Sequence, residues 1–152
     1  MAIENGALLD STGKKLLSAL QENARLSFAE LGRRIGLSPA ATAERLRRLE
    51  EAGVIKGYRV EIDHEALGLP ILAVIRMSCD GAMYRPFLKA VQTLDTVMEC
   101  HHVAGGDAFI LKVTAASVEQ LERLVEKLLN FGVPTTSIVF SSPVAGRRLK
   151  IE

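Results

Sequence analysis

Three kinds of chemistry are thinly supplied in this chain. Its cysteines are two, Cys79 and Cys100, with neither the close spacing of a metal or redox pair nor a disulfide-dense context, so reduced thiols are expected. Its histidines are His64, His101 and His102. Two of them are consecutive on an expected strand, where neighbouring side chains point to opposite faces and do not readily share one ion, so no metal is expected. No nucleophile elbow or phosphate loop occurs, and no acid/base cluster converges, so neither catalysis nor a cofactor is expected. An apolar run of the ~20 residues a membrane helix needs is also absent. The first residues include Glu4 and Asp10 and show no basic segment leading into an apolar run, as a signal peptide would. The cytoplasm, or the nucleoid within it, is the expected location.

Charge is balanced, with 19 Lys and Arg against 18 Asp and Glu, but unevenly spread. Residues 1–60 hold 10 basic and 7 acidic side chains, the remainder 9 and 11. With 48% hydrophobic and 24% charged residues in 152, the composition is that of a globular protein of one large domain or two small ones. No internal repeat or low-complexity segment is visible.

The most informative stretch runs from Gly36 to Tyr58. Ser38 can cap a helix that begins at Pro39, a residue suited to the first helical position, and Gly53 should stop it. At helical pitch Thr42, Leu46 and Leu49 share one side; Ala40, Glu44, Arg47 and Glu51 share the other. Upstream, Asp10 can cap a helix carrying Leu16, Leu17 and Leu20 that ends near 21–23. Ser27 and Glu30 have capping-box spacing, opening a second helix whose apolar positions are Phe28, Leu31 and Ile35 and which stops at Gly36. Two helices joined by so short a glycine-bearing turn meet the requirement of a helix-turn-helix. Residues 1–7 are expected to be loose.

Downstream, residues 54–55 and 58–62 have the content of a strand, with Gly57 as a bulge or bend, and 63–70 read as a connection. Strands are expected over 71–78, 97–103, 109–114 and 137–144, with a turn at 104–107. Helices are expected over 85–94 and, capped by Ser117 with Gln120, to about 131 along Leu121, Leu124, Val125, Leu128 and Leu129. The order βαββαβ suits a ferredoxin-like sandwich with both helices on one face of the sheet. Ile75, Met77, Ile110 and Val139 are expected on the other face, whose apolar character suggests pairing with a second subunit, at least as a dimer. The expected domains are residues 1–60, a hinge at 61–70, and 71–152.

Leu9-Asp10, Lys15-Leu16-Leu17, Leu20 to Arg25, Glu30-Leu31, Gly36-Leu37-Ser38-Pro39, Arg48-Leu49-Glu50, Gly53-Val54-Ile55 and Gly57-Tyr58 together resemble the signature of the Lrp/AsnC family of feast/famine transcription regulators. Asp63, Leu67-Gly68, Glu99-Cys100-His101, Leu111-Lys112-Val113 and Thr135 to Val139 extend the resemblance over nearly the whole chain. The resemblance implies an α+β chain: a winged-helix-like helix-turn-helix domain, a hinge strand, and a ferredoxin-like effector (RAM) domain. It also implies dimers assembling into tetramers or octamers, and an amino acid as effector. Departures are Gly13, where the family usually has an acid, Thr42, where an aliphatic residue is usual, and Gly106 and Ala108, where acids are common.

The expected DNA site is Ser38 at a phosphate, Ala40, Ala41, Ala43 and Glu44 at base edges, and Arg47 and Arg48 at phosphates or guanine. Arg45 flanks the buried stripe, so it serves either DNA or an ion pair within the domain; Arg33 and Arg34 serve either DNA or a solvated face. The expected effector site is the Gly105-Gly106-Asp107 turn, whose open N–H groups suit a carboxylate and whose acid suits an ammonium. A plain hairpin turn is the alternative. Thr135, Thr136 and Ser137 are hydroxyl donors that could join from a neighbouring subunit. The expected partners are double-stranded DNA, a small-molecule effector and further copies of the chain. The function that follows is a sequence-specific, ligand-responsive regulator. The alternatives are a nucleoid-architectural or ligand-sensing protein with largely nonspecific DNA binding, or an amino-acid enzyme on a ferredoxin-like fold.

Overall fold

A computed structural model describes residues 6–151, which form two compact units: residues up to 60 with those from 146 on, and residues 61–145. The expectation of a loose N-terminus falls mostly on residues 1–5, outside the described residues. No helix among the described residues is long and apolar enough to cross a membrane.

The first unit is three helices, α1 (Ser11–Glu22), α2 (Phe28–Ile35) and α3 (Pro39–Glu51). Each starts where a side chain satisfies an otherwise free backbone N–H. Asp10 accepts from Gly13 N at 2.8 Å. Ser27 and Glu30 exchange bonds in a full capping box, and Ser38 accepts from Ala41 N at 3.2 Å. The core is Leu16, Ala19, Leu31, Leu46 and Leu49, each large side chain contributing about 1.5–3 kcal/mol by leaving water. Phe28, the first residue of α2, is instead exposed, although helical pitch puts it on the same side as Leu31 and Ile35. The C-terminal residues from 146 on group with this unit. Gln21 clamps the backbone of Leu149, accepting from its N–H at 2.8 Å and donating to its carbonyl at 3.1 Å. Leu149 and Ile151 thereby border an apolar groove of about 490 Å³ against Leu17, Leu20, Val54 and Ile55.

The second unit holds β1 (Ile71–Ser78), a 3-10 turn (Gly81–Met83), α4 (Tyr84–Val91), β2 (Val97–His102), β3 (Phe109–Ala115), α5 (Val118–Leu129) and β4 (Val133–Ile138). The strands form one antiparallel sheet in the order β2-β3-β1-β4, the arrangement expected of the ferredoxin-like pattern. Phe87 and Val91 of α4 and Leu121, Leu124 and Leu128 of α5 pack on Ala73, Ile75, Met77, Phe109, Leu111 and Val113.

Five expectations are corrected. Ile75 and Met77 face this core, fully buried, and not the outer face, because a strand's faces alternate and a one-residue error reverses them. The outer face carries Leu72, Val74, Arg76, Ile110 and Lys112, as their pairing register requires. The last strand is Val133–Ile138 instead of 137–144: Pro134 disguised it as loop, but β4 is an edge strand, where a missing N–H is tolerated. Residues 54–62 form no strand, since β-branched content favours pairing without supplying a partner. Leu129 ends α5 exposed, and α4 stops at Val91 instead of 94.

Gly13 shows what the family departure does. A Cβ there would lie 1.9 Å from Leu8 O, so the glycine admits the preceding chain against α1 while its N–H still feeds Asp10. Ala ordinarily stabilises a helix over Gly by about 1 kcal/mol. Here the sign is expected to reverse, Gly13→Ala lowering stability by about 1–3 kcal/mol in urea unfolding, and an equal or raised midpoint would refute the close-approach account.

Candidate DNA-reading helix and effector turn

The turn between α2 and α3 is set by close packing. Gly36 ends α2 with φ 77°, and Leu37 N bonds Gly32 O at 2.9 Å. A Cβ on Gly32 would sit 2.4 Å from Leu37 O, so the absence of a side chain lets the turn close over α2. Sequence patterning marked Gly36 but missed Gly32, because a close approach leaves no periodic signal.

From this turn α3 runs with Thr42, Leu46 and Leu49 buried. Thr42 sits in the core without loss of a hydrogen bond, its hydroxyl donating to Ser38 O at 2.9 Å. Ala40, Ala41, Glu44, Arg47 and Arg48 are exposed and Ala43 half-buried. One side of α3 is therefore packed and the other presented, with small side chains first and charged ones last.

The charged end is a closed network. Arg47 grips Glu44 with two bonds, Nε to Oε2 at 3.0 Å and Nη2 to Oε1 at 2.8 Å. Arg48 Nε adds a third to Glu44 Oε1 at 2.9 Å, and Arg47 Nη1 also bonds Glu51. These are the i,i+3 and i,i+4 neighbours of a helix surface. The two guanidiniums, Arg47 first, hold the Glu44 carboxyl down to about 2, and Glu44 and Glu51 raise Arg47 further above its usual range.

Arg45 is differently engaged. It pairs with Asp10, which also receives the Gly13 N–H and is held below the usual carboxylate range, first by that backbone bond and then also by Arg45. The partners lie 35 residues apart, so spacing could not reveal them. Arg34 pairs with Glu22 at 3.0 Å. At the far end of α3, Val54 N and Ile55 N both bond Leu49 O, at 3.0 and 3.1 Å. Tyr58 donates to Glu50 at 2.8 Å, its phenol pushed up to about 12 by burial and by that carboxylate. The segment leaving the helix is thus tied to its last turn.

In the second unit Gly105, Gly106 and Asp107 form the turn joining β2 to β3, closed by Val103 N to Ala108 O at 3.0 Å. Gly105 has φ 133°, a region that favours glycine, and nothing lies within 4 Å of a Cβ built on either glycine. Thr135 and Ser137 oppose Arg76 and Val74 on the outer face, while Thr136 opposes Ile75 on the helix side. The three hydroxyls therefore do not act together. Thr135 is also two strands, roughly 10 Å, from Ile110, beside the turn. His102 stacks near Phe109 with centroids 4.9 Å apart, and His101 bonds Glu99 at 3.1 Å.

A helix-turn-helix unit joined to a ferredoxin-like unit with a glycine turn open at one end defines a DNA-binding regulator with a separate ligand-binding domain. Residues 9–56 match the winged helix-turn-helix DNA-binding family and residues 72–149 the Lrp/AsnC ligand binding domain. The chain is 36% identical over 133 residues to the HTH-type transcriptional regulator LrpC of Bacillus subtilis, spanning 88% of this chain and 92% of that protein. It is 34% identical to the leucine-responsive regulatory protein of Haemophilus influenzae, over 77% and 72% of the two chains. The solved structure of a transcriptional regulator of Neisseria meningitidis in complex with L-Met superposes with TM-score 0.84 at 30% identity, covering 90% of this chain and 92% of that one. This protein belongs to the Lrp/AsnC family and is a helix-turn-helix transcriptional regulator, not an enzyme.

The network on α3 has a checkable acid limit. A carboxyl whose folded pKa lies below its unfolded value contributes stability that is complete above the unfolded value, 4.5 for Glu44, and lost as pH falls towards about 2. Carboxyl-detected NMR is expected to show Glu44 still ionised at pH 4. A midpoint at the ordinary value would mean the arginines are not held.

Proposed function

We propose that the protein recognises specific DNA sequences through α3 and responds to an amino acid bound at the Gly105–Asp107 turn, at an interface between subunits of the ferredoxin-like units. The carrying observation is the two-sided α3: its packed stripe leaves Ala40, Ala41 and Glu44 exposed and Ala43 half-buried on the N-terminal half, where such helices meet base edges. Ser38 and the first free N–H groups suit a phosphate, and Arg47 and Arg48 suit phosphate or guanine. Arg45, paired with Asp10, serves first to orient α3 on α1 and contacts DNA only if that pair opens.

Support for the effector comes from the open turn and from relatives. The Neisseria regulator was solved with L-Met. So was a feast or famine regulatory protein of Mycobacterium tuberculosis, which superposes with TM-score 0.87 at 28% identity over 95% of this chain and 99% of that one. Glycine N–H groups suit the ligand carboxylate and Asp107 its ammonium. Thr135 and Ser137 would join from a second subunit, since one chain does not bring them to the turn. The outer sheet face, with Leu72, Val74 and Ile110 half-buried between charged neighbours, supplies a self-complementary surface for a dimer, and larger assemblies would build on it. The working location is the cytoplasm, on the nucleoid. The closed arginine network favours this reading over a coating protein, whose basic side chains gain by staying free for phosphates.

Arg47→Ala is expected to weaken operator binding and make its salt dependence shallower by roughly one ion; unchanged affinity removes Arg47 from the site. Unfolding temperatures measured with each of the twenty amino acids are expected to rise for one or a few of them, by mass action. Calorimetry should then show Asp107→Ala losing that binding, and binding that survives the substitution overturns the assignment of the turn.

A further inference from the structure

Glu44 stands between the two cations best placed to grip any DNA. Its carboxylate receives three N–H bonds, two from Arg47 and one from Arg48, and Glu51 takes another from Arg47. Two arginines and two acids on one helix face sum to no charge, so the face offers arbitrary phosphates little. Nonspecific binding is almost wholly the neutralisation of phosphates by free cations. To meet DNA with the edges that Glu44 now holds, both arginines must release the carboxylate, which then becomes an ionised acceptor without donors at a dry interface, a costly state. The major groove offers two amino donors that remove this cost, adenine N6 and cytosine N4, and of these only cytosine is paired with guanine, whose O6 and N7 acceptors an arginine fork fits.

We propose that Glu44 is a specificity-determining residue that withholds Arg47 and Arg48 from arbitrary DNA and releases them where a cytosine edge takes their place. The proposal rests on the reading of α3 as the DNA-facing helix. At a matching C·G pair the carboxylate exchanges arginine donors for the cytosine amino group while an arginine moves to guanine or to the adjoining phosphate, so no polar group is left unpaired. Elsewhere the exchange leaves either the carboxylate without a donor or the arginine fork without its guanine acceptors, and the network stays shut. Glu44 acts twice, by refusing wrong sites and by reading one base.

The test begins with duplexes selected by the wild-type protein from a random library, each compared with a scrambled duplex of equal composition. Glu44→Gln keeps the side chain's size and removes its charge on an exposed position, so folding should persist, as checked by circular dichroism. Affinity for the scrambled duplex is expected to rise roughly 3- to 10-fold with a salt slope steeper by about one ion, while the selected duplex gains less and the ratio between them falls. Reselection with the variant should relax one C·G position. Repeating the substitution on an Arg47→Ala/Arg48→Ala background should abolish the effect, whereas a general charge effect would survive there. An unchanged or increased ratio, a gain persisting without the arginines, or a selection that enriches no sequence would overturn the proposal while leaving α3 as the DNA face. If Arg47→Ala/Arg48→Ala binds both duplexes as the wild type does, the reading of α3 itself falls.

Discussion

The burial of Leu46 and Leu49 of α3 against Leu16 and Leu31 is the contact on which the DNA-binding unit depends. Once that stripe is packed, the opposite side of the helix is the one left to solvent, and every polar assignment follows. Asp10 and Arg45 stitch the flank of α3 to the start of α1. Gly32 and Gly36 let the turn close tightly enough for the stripe to reach its partners. Thr42 enters the apolar layer because its hydroxyl finds the Ser38 carbonyl one turn back. A small domain of three helices has few core side chains to lose, so each of these local devices counts.

The presented face answers to electrostatics. Arginines suited to phosphate are neutralised by acids one helical turn away, an arrangement whose exposed pairs add little to stability. In the proposed reading of α3 its consequence lies in binding, because those bonds would be exchanged when a duplex arrives. The far end of α3 is tied down through Leu49 and through Tyr58 with Glu50, so the segment leading out of the domain leaves from a helix end that cannot swing freely. In the second unit the constraint is instead a continuous apolar layer between one sheet face and two helices, which leaves the other face and the β2–β3 turn outside the core.

How much of this was legible follows from the range of each interaction. Helix starts at Asp10, Ser27 and Ser38 were read correctly because a cap is decided within three or four residues. The buried trio of α3 was read correctly because helical periodicity is local too. Among strands, the long apolar β1 announced itself, while β4 hid behind Pro134 and was displaced towards the apolar residues after it. The segment 54–62 looked like a strand and formed none, since a ladder needs a partner that composition cannot supply. Which side of β1 faced the helices was misjudged for the same reason: alternation reveals two faces without saying which is covered.

The candidate sites divide along the same line. The amino-acid sequence alone determined that there is a helix-turn-helix, where its third helix starts and stops, which side is apolar, and that a βαββαβ unit follows, because caps, turns and periodicity act between near neighbours. Only the tertiary structure decided that Arg45 belongs to Asp10 and that the C-terminal residues lie on α1 through Gln21. It alone separated Thr136 from Thr135 and Ser137 by sheet face, and turned Ile75 and Met77 inward. Those outcomes rest on contacts between residues far apart in the chain, whose geometry exists only after the core has closed.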